Sequence, residues 1–144
     1  MKFWICVVSK EHALKGIDGG FIQACHGKLA PLKRMKVGDF VMFYCPNITF
    51  LGKEKYQQFL GVGQVVDNQV YQYAMTDNFK PFRMNIKYLE NSSIIETPIH
   101  GLINSLTFIQ DKTHWGYMFR FGHFEIPKLD FDLIINAMNV SEHI

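Results

Sequence analysis

The stretch Phe3-Trp4-Ile5-Cys6-Val7-Val8-Ser9 is the segment from which the fold can be worked out. Its first six residues are aromatic, aliphatic or sulfur-containing, which is typical of a buried strand. Ser9 has the side chain that an N-cap requires, so a short helix is expected over residues 10–14, ended by the glycines within residues 16–20. The segment therefore predicts a buried strand that leads directly into a helix.

The rest of the chain adds more strands than helices. Val37-Gly38-Asp39 is a predicted turn, Asp67-Asn68 is predicted to close a hairpin, and the polar stretch 46–58 is expected to be mobile. Strands are predicted at residues 3–8, 40–45, 59–66, 69–75, 81–89 and 117–121, and helical segments at residues 10–14, 29–35, 97–103 and from Pro127 onward. This order favours an α+β fold with a closed or curled mixed sheet and peripheral helices.

Length and composition limit the possible classes of protein. The chain has 144 residues, of which 48% are apolar, so we expect a single domain over residues 1–144 with a sizeable core. The formal net charge is only +2, so the global charge indicates neither disorder nor a polyanion-binding tail. Residues 1–36, however, have seven Lys and Arg against two Asp and Glu, a local charge of +5 that either attracts an anionic ligand or is a plain solvated face.

The apolar run at residues 3–8 is too short for a signal peptide or a membrane span, so a cytoplasmic protein without membrane contact is expected. The three cysteines form no CxxC pair, which indicates free thiols rather than disulfides or a zinc knuckle.

Motifs for catalysis and cofactor binding are weak. Gly61-Val62-Gly63 lacks the third glycine and the following helix of a dinucleotide-binding loop, and the six histidines have no metal-ligand spacing. Cys25-His26 are neighbours in sequence, whereas a thiol nucleophile and its base meet in space. We therefore predict no catalytic residue, no metal and no cofactor.

The remaining signal is an aromatic content of 15% mixed with isolated cations. Aromatic faces stack on nucleobases, and Lys or Arg binds the attached phosphate. The alternative is that these rings only fill a β-rich core.

Fragments spread over nearly the whole chain resemble one family. In order they are WICVVS (4–9), GFIQACHGK (20–28), PLKRMKVGD (31–39), FLGVG (59–63), PFR (81–83), LTFI (106–109), WG (115–116) and RFGHFEI (120–126). Together they resemble the EVE-domain family of the PUA-like superfamily, to which YTH and ASCH domains are related. The resemblance implies a PUA-like curled mixed β-barrel with peripheral helices and no catalytic residues.

The resemblance also implies a function. It indicates a domain that recognises a modified nucleobase in an aromatic-lined pocket, either a methylated or hydroxymethylated cytosine in DNA or a modified base in RNA. Its implied partner is therefore a modified base or a nucleic acid, and the oligomeric state stays undefined.

Site residues are carried over from the same resemblance. Ser9 is the polar pocket residue, Phe21 a cage wall smaller than the tryptophan of many relatives, and Trp115 either cage wall or core. The full set of expected ligand-binding residues is Ser9, Phe21, Gln23, His26, Lys28, Tyr44, Phe82, Arg83 and Trp115. All of them except Phe82 and Trp115 are predicted to share one concave site, with Ser9 and Arg83 on the same side of the barrel.

Two other functions remain open at this point. One is a small nucleotide-acting hydrolase or transferase that uses Cys25 or His26. The other is an adaptor that binds another protein through residues 46–58.

Overall fold

The computed structural model of the protein describes residues 1–138. A seven-stranded mixed sheet runs through it, with three α-helices around the sheet. The strands are β1 (Phe3–Val7), β2 (Phe21–Ile22), β3 (Phe40–Asn47), β4 (Lys55–Gln72), β5 (Phe82–Tyr88), β6 (Glu96–Pro98) and β7 (His123–Ile126). The helices are α1 (Lys10–Gly19), α2 (Leu29–Arg34) and α3 (Lys128–Ala137). The α+β class is confirmed.

The order of the strands explains why the first segment is so apolar. The sheet order is β2-β5-β4-β3-β1-β7, and β6 pairs with β4. Strand β1 lies parallel to β3 on one side and antiparallel to β7 on the other, so both of its edges are hydrogen-bonded. Ile5 and Cys6 are fully buried on opposite faces of the sheet. A strand buried on both faces needs a continuous apolar run, which the sequence provides.

The sheet is open in its hydrogen bonding, with β2 and β7 at the two ends of the order. The two ends nevertheless meet. Cys25, just after β2, donates its thiol to the carbonyl of Phe121, just before β7, at 3.6 Å. The sheet is therefore curled, as expected, without being a closed hydrogen-bonded barrel.

Two apolar clusters pack on the two faces. One contains Phe3, Tyr44 and Phe59 together with α3. The other contains Trp4 and Phe43 and is covered by α1 and α2. These clusters define two sides of the molecule, which we call the α3 side and the α1 side.

Helix α1 is longer than its sequence signals predict. Gly16 was expected to help end the helix, but it lies inside it. A Cβ at this position would come within 2.8 Å of the carbonyl oxygen of Phe21, so the close packing of α1 on β2 explains the glycine. Gly20 ends the helix instead, with the left-handed backbone of a C-cap at φ 70°.

The predicted hairpin turn at Asp67-Asn68 is wrong. Strand β4 continues to Gln72, and Asp67 accepts a hydrogen bond from the backbone of Gln69 inside a bulge that shifts the register with β5. The chain reverses later, where Met75 donates to the carbonyl of Phe79.

Two other predictions fail in the second half of the chain. Glu96–Pro98 is strand β6 followed by one 3-10 turn, rather than the start of a helix over residues 97–103. Residues Tyr117–Phe121 form a 3-10 helix rather than a strand, and β7 begins at His123. In both places the pairing partner, β4 or β1, decides which residues become a strand.

Candidate functional site

The first wall of the site is the junction between β1 and α1. The Ser9 hydroxyl oxygen accepts a hydrogen bond from the backbone N–H of His12 at 3.2 Å, which is the expected N-cap. The N–H of Glu11 donates to the carbonyl of Ile48 at 2.9 Å, so the loop after β3 also supports this helix end. Because Ser9 uses its oxygen as the acceptor, its hydroxyl proton is left as a donor for another group.

The second wall is the loop of residues 23–28. Cys25, His26 and Gly27 all have left-handed backbones, with φ of 50°, 62° and 82°. Two such residues in succession that are not glycine store strain, which the surrounding contacts must offset. The Gly27 carbonyl accepts from the N–H of Phe82 at 2.9 Å, which ties the loop to β5.

This loop is also held by thiol contacts and close packing. Cys6 donates its thiol to the Gln23 carbonyl at 3.4 Å, and burial raises the pKa of the Cys6 thiol. A Cβ at Gly27 would lie 2.4 Å from the Cβ of Pro81, so only glycine fits there. The loop leaves the His26 side chain exposed, with its ring edge-on to Phe50 at 5.6 Å.

Arg83 is the central charged group of the site. Its guanidinium carbon lies 3.8 Å from the centre of the Phe21 ring and 4.1 Å from that of Tyr73, so it is stacked between the two. Its Nε donates to Oε1 of Gln23 at 2.6 Å. These contacts fix the plane of the guanidinium and leave its two terminal NH₂ groups at the edge of the stack.

Gln23 is oriented by that hydrogen bond. Its side chain is buried, with 5% of the residue exposed. Since Arg83 has no acceptor, the amide oxygen of Gln23 must face it, and the amide NH₂ points the other way as a donor. Ser9, Gln23 and Arg83 thus supply hydrogen-bond donors of three kinds.

The pKa of His12 reports the charge around the site. Burial lowers the pKa of its imidazole, and the charges of Arg83, Lys15 and His26 lower it further. His12 is therefore neutral at pH 7, and the groups that depress its pKa make its surroundings electropositive. Such surroundings favour an anionic ligand such as a phosphate.

Six of the nine residues predicted for the site lie around this arrangement. Arg83 is in direct contact with both Gln23 and Phe21. His26 lies in the loop next to Gly27, and Lys28 is exposed at the start of α2. Ser9 caps the first turn of α1, which contains His12, and the charge of Arg83 is one of the causes that lower the pKa of His12.

The Phe21 ring differs from the open cage wall that the resemblance implies. Arg83 covers one face of it, and a Cβ on Gly19 would lie 2.6 Å from its ring edge. A base can reach this face of Phe21 only if Arg83 moves. On this face a ligand therefore meets the Arg83 guanidinium rather than the Phe21 ring.

Three predicted residues lie elsewhere. Tyr44 is 2% exposed on the α3 side, where its ring stacks on Phe119 at 4.0 Å. Trp115 also packs against the α3-side cluster and lines a cavity of about 650 Å³. Phe82 is half-buried and packs into the α1-side cluster. Alternation along β5 turns the Phe82 ring away from Arg83, and alternation along β3 turns Tyr44 into the α3-side cluster.

Sequence reasoning missed His12 and Tyr73. His12 is three residues after the Ser9 cap, and this spacing places it in the first turn of α1 beside the cap. No sequence motif could have indicated Tyr73, because its contact with Arg83 depends on the register between β4 and β5.

Within residues 1–138, His, Cys, Asp and Glu side chains form no group of three or more that could hold a metal ion. In the same residues, no helix is long and apolar enough to cross a membrane.

Comparisons with known proteins agree with this fold. The model of the EVE domain matches residues 2–137. A UPF0310 protein in the gntR 5′ region of Bacillus licheniformis is 48% identical over 130 residues, covering 90% of this chain and 86% of that protein. A UPF0310 protein of Mycolicibacterium gilvum is 45% identical over 97% of both chains.

Solved structures at low identity share the fold. The YTH domain of Zygosaccharomyces rouxii MRB1, in complex with N6-methyladenosine RNA, has a TM-score of 0.62 at 14% identity and covers 95% of this chain and 86% of that one. Human THYN1, in complex with DNA containing 5-methylcytosine, has a TM-score of 0.59 at 14% identity and covers 96% of this chain and 98% of that one. With its family model spanning residues 2–137 and relatives above 40% identity along almost its full length, the chain belongs to the EVE-domain family.

Proposed function

We propose that this protein is a non-catalytic domain that binds a modified nucleobase within a nucleic acid. The base lies between Ser9, the loop of residues 23–28 and Arg83. Structural neighbours in complex with N6-methyladenosine RNA and with 5-methylcytosine DNA support the ligand class. The ligand of this chain is a methylated or hydroxymethylated cytosine in DNA or a modified base in RNA.

One observation supports this function most directly, the Arg83 guanidinium held flat between Phe21 and Tyr73 and tied to Gln23. An arginine fixed in this way loses little side-chain entropy on binding, because its plane is already set. Its NH₂ groups donate to a phosphate or to a base carbonyl, both of which are acceptors.

Discrimination between bases comes from two donors, one on the buried Gln23 and one on the half-buried Ser9. The NH₂ group of Gln23 and the hydroxyl of Ser9 pair with acceptors on the base edge, and a base without those acceptors leaves them unpaired at about 1–3 kcal/mol. A buried methyl group adds only about 0.8 kcal/mol, so the modification itself is read mainly through shape.

The contacts of Cys25 and His26 support binding rather than thiol catalysis. The thiol of Cys25 donates to the Phe121 carbonyl, and the ring of His26 packs edge-on to Phe50. Each side chain thus has its own structural contact, and neither contact is the thiol–imidazole hydrogen bond that activates a nucleophile.

The test is a titration of single-stranded 9-mers by isothermal calorimetry. The DNA pair has 5-methylcytosine or cytosine at the centre, and the RNA pair has N6-methyladenosine or adenosine. We expect one modified 9-mer to bind more tightly than its unmodified partner. Arg83→Ala should weaken that binding by roughly 1.5–3 kcal/mol, the range for a hydrogen bond to a charged group.

Lys128→Ala is the matched control, because it removes one positive charge on α3, where Lys128 pairs with Asp132. Thermal melting must show that both variants are folded. Equal affinity of the modified and unmodified 9-mers in both pairs, or full binding by Arg83→Ala, would rule out the proposed site. Cys25→Ser should keep its affinity, whereas loss of a nucleotide turnover in that variant would favour an enzyme.

A further inference from the structure

The outer face of the β4–β5 hairpin carries aromatic and cationic side chains that neither apolar cluster uses. Met84 and Ile86 of β5 point into the α1-side cluster, so the alternating residues Arg83 and Lys87 point away from it. Tyr71 of β4 faces Arg83 directly across the ladder, and side chains of such a pair lie on the same face. We call the set Tyr71, Tyr73, Arg83 and Lys87 the hairpin face.

The two tyrosine rings of the hairpin face are accessible. Tyr71 is 36% exposed and Tyr73 is 50% exposed. Tyr73 turns one ring face toward Arg83 and keeps the rest of the ring in solvent. Tyr71 and Tyr73 lie two residues apart, about 7 Å along an extended strand, so each can stack on a different base.

The charge of this face is positive. Arg83 and Lys87 are the cations of β5, and Lys80 is exposed in the turn that follows β4. Of the nearby acids, Asp67 already accepts hydrogen bonds from Asn85 at 3.2 Å and from the backbone of Gln69 at 2.9 Å, while Asp77 lies in the turn. Rings that stack on bases, placed among cations, match the chemistry of a single-stranded nucleic acid.

We propose that the hairpin face holds the nucleotides that flank the base in the pocket, so that the protein binds several nucleotides of a single strand. This inference rests on the proposed function, because Arg83 connects the two: it contacts Gln23 on the pocket side and Tyr73 on the hairpin side. The strand runs from the base pocket across Arg83 and onto Tyr73 and Tyr71. Its phosphates lie near Lys87 and Arg83.

The experiment compares trimers and 9-mers that share a central 5-methylcytosine in DNA, with a parallel RNA series containing N6-methyladenosine. Tyr71→Ala is compared with Tyr71→Phe, which keeps the ring, and Tyr73 is left unchanged because it holds Arg83 in the pocket. We expect the parent to bind the 9-mer more tightly than the trimer. The Tyr71→Ala variant should weaken binding to the 9-mer at least about fivefold and leave trimer binding unchanged, while Tyr71→Phe keeps the higher affinity for the 9-mer.

A second measurement uses Lys87→Gln, which leaves the pocket intact. The slope of log affinity against log salt concentration for the 9-mer should fall by about 0.7, the value for one lost phosphate contact on a single strand. An unchanged slope contradicts a phosphate contact at Lys87 and counts against the proposal.

The outcomes separate this inference from the proposed function. If the alanine variant binds the 9-mer as the parent does, the hairpin face is not a nucleic-acid surface, even when the modified base is still preferred. If modified and unmodified 9-mers bind equally but the length gain is lost in the alanine variant, the base-recognition proposal fails and the hairpin face stands. If the alanine variant changes only self-association, the face is an interface between copies and the inference is wrong.

Discussion

His123 is a buried histidine whose protonation should control stability at mildly acidic pH. It is 2% exposed and stacks on Trp4, with ring centres 4.8 Å apart. Both of its ring nitrogens are buried without a hydrogen-bond partner in the part of the chain that the structure describes. Burial, and next the charge of Arg34, lower the pKa of His123 from 6.5 to about 4.

The sign and size of the effect follow from that pKa. In the unfolded chain His123 takes up a proton as the pH falls through about 6.5, whereas the folded protein takes it up only near 4. Between these values the unfolded state binds more protons, so the free energy of unfolding falls as the pH is lowered. At 1.36 kcal/mol for each pH unit, the full loss is about 3 kcal/mol.

The substitution His123→Leu replaces the imidazole by a side chain of similar volume that cannot be protonated. Since the imidazole nitrogens have no partners to lose, the variant should be at least as stable as the parent at pH 7. Urea unfolding at half-unit steps from pH 4.5 to 7.5 measures the free energy of unfolding of both proteins. We expect the parent to lose about 2–3 kcal/mol more than the variant over this range.

The difference between the two proteins isolates His123, because His12, whose pKa is also lowered, titrates in both. Parallel profiles of unfolding free energy against pH for the parent and His123→Leu would contradict a lowered pKa of His123 in the folded protein. They would mean that His123 is as accessible to protons in the folded protein as in the unfolded one.

Three other substitutions test the contacts of Asp39, Gly27 and Phe21. Asp39→Ala should cost about 3 kcal/mol in urea unfolding, because the Asp39 carboxylate accepts hydrogen bonds from the Trp4 indole at 3.0 Å and from two backbone N–H groups at 2.9 Å. Gly27→Ala should lower the melting temperature or prevent folding, because φ is 82° and the new Cβ would clash with Pro81; a stable variant with full binding would contradict this. Phe21→Ala should weaken binding of the modified 9-mer by roughly 1–3 kcal/mol, since Arg83 loses one of its two rings, and calorimetry on a variant that melts like the parent decides it.

The parts of the fold that the sequence predicts correctly depend on local signals. The apolar run before Ser9, the cap itself and the helix after Pro127 are set by residues next to one another. The wrong predictions are at positions where pairing with a strand distant in sequence decides the local structure. Residues 96–98 become a strand because β4 is available to pair with them, and Asp67 forms a bulge because β5 continues alongside.

The candidate site divides in the same way. The resemblance placed Gln23, His26 and Arg83 in one region, and the structure brings Gln23 and Arg83 into contact. It could not indicate that Arg83 covers the face of Phe21, because that depends on the pairing of β2 with β5. Tyr44 was expected at the rim because it ends a strand, but the alternation along β3 turns its side chain into the α3-side core.

The position of β1 between β3 and β7 has a consequence for synthesis on the ribosome. In the β1–β7 ladder, Cys6 faces His123, which is 117 positions later in the chain. At translation rates of about 5–20 residues per second, one edge of the most apolar strand waits roughly 6–23 s for its partner. A nascent chain stalled before β7 presents that edge to other chains, where it can pair and aggregate. Premature termination before His123 should therefore yield insoluble product rather than a partly active domain.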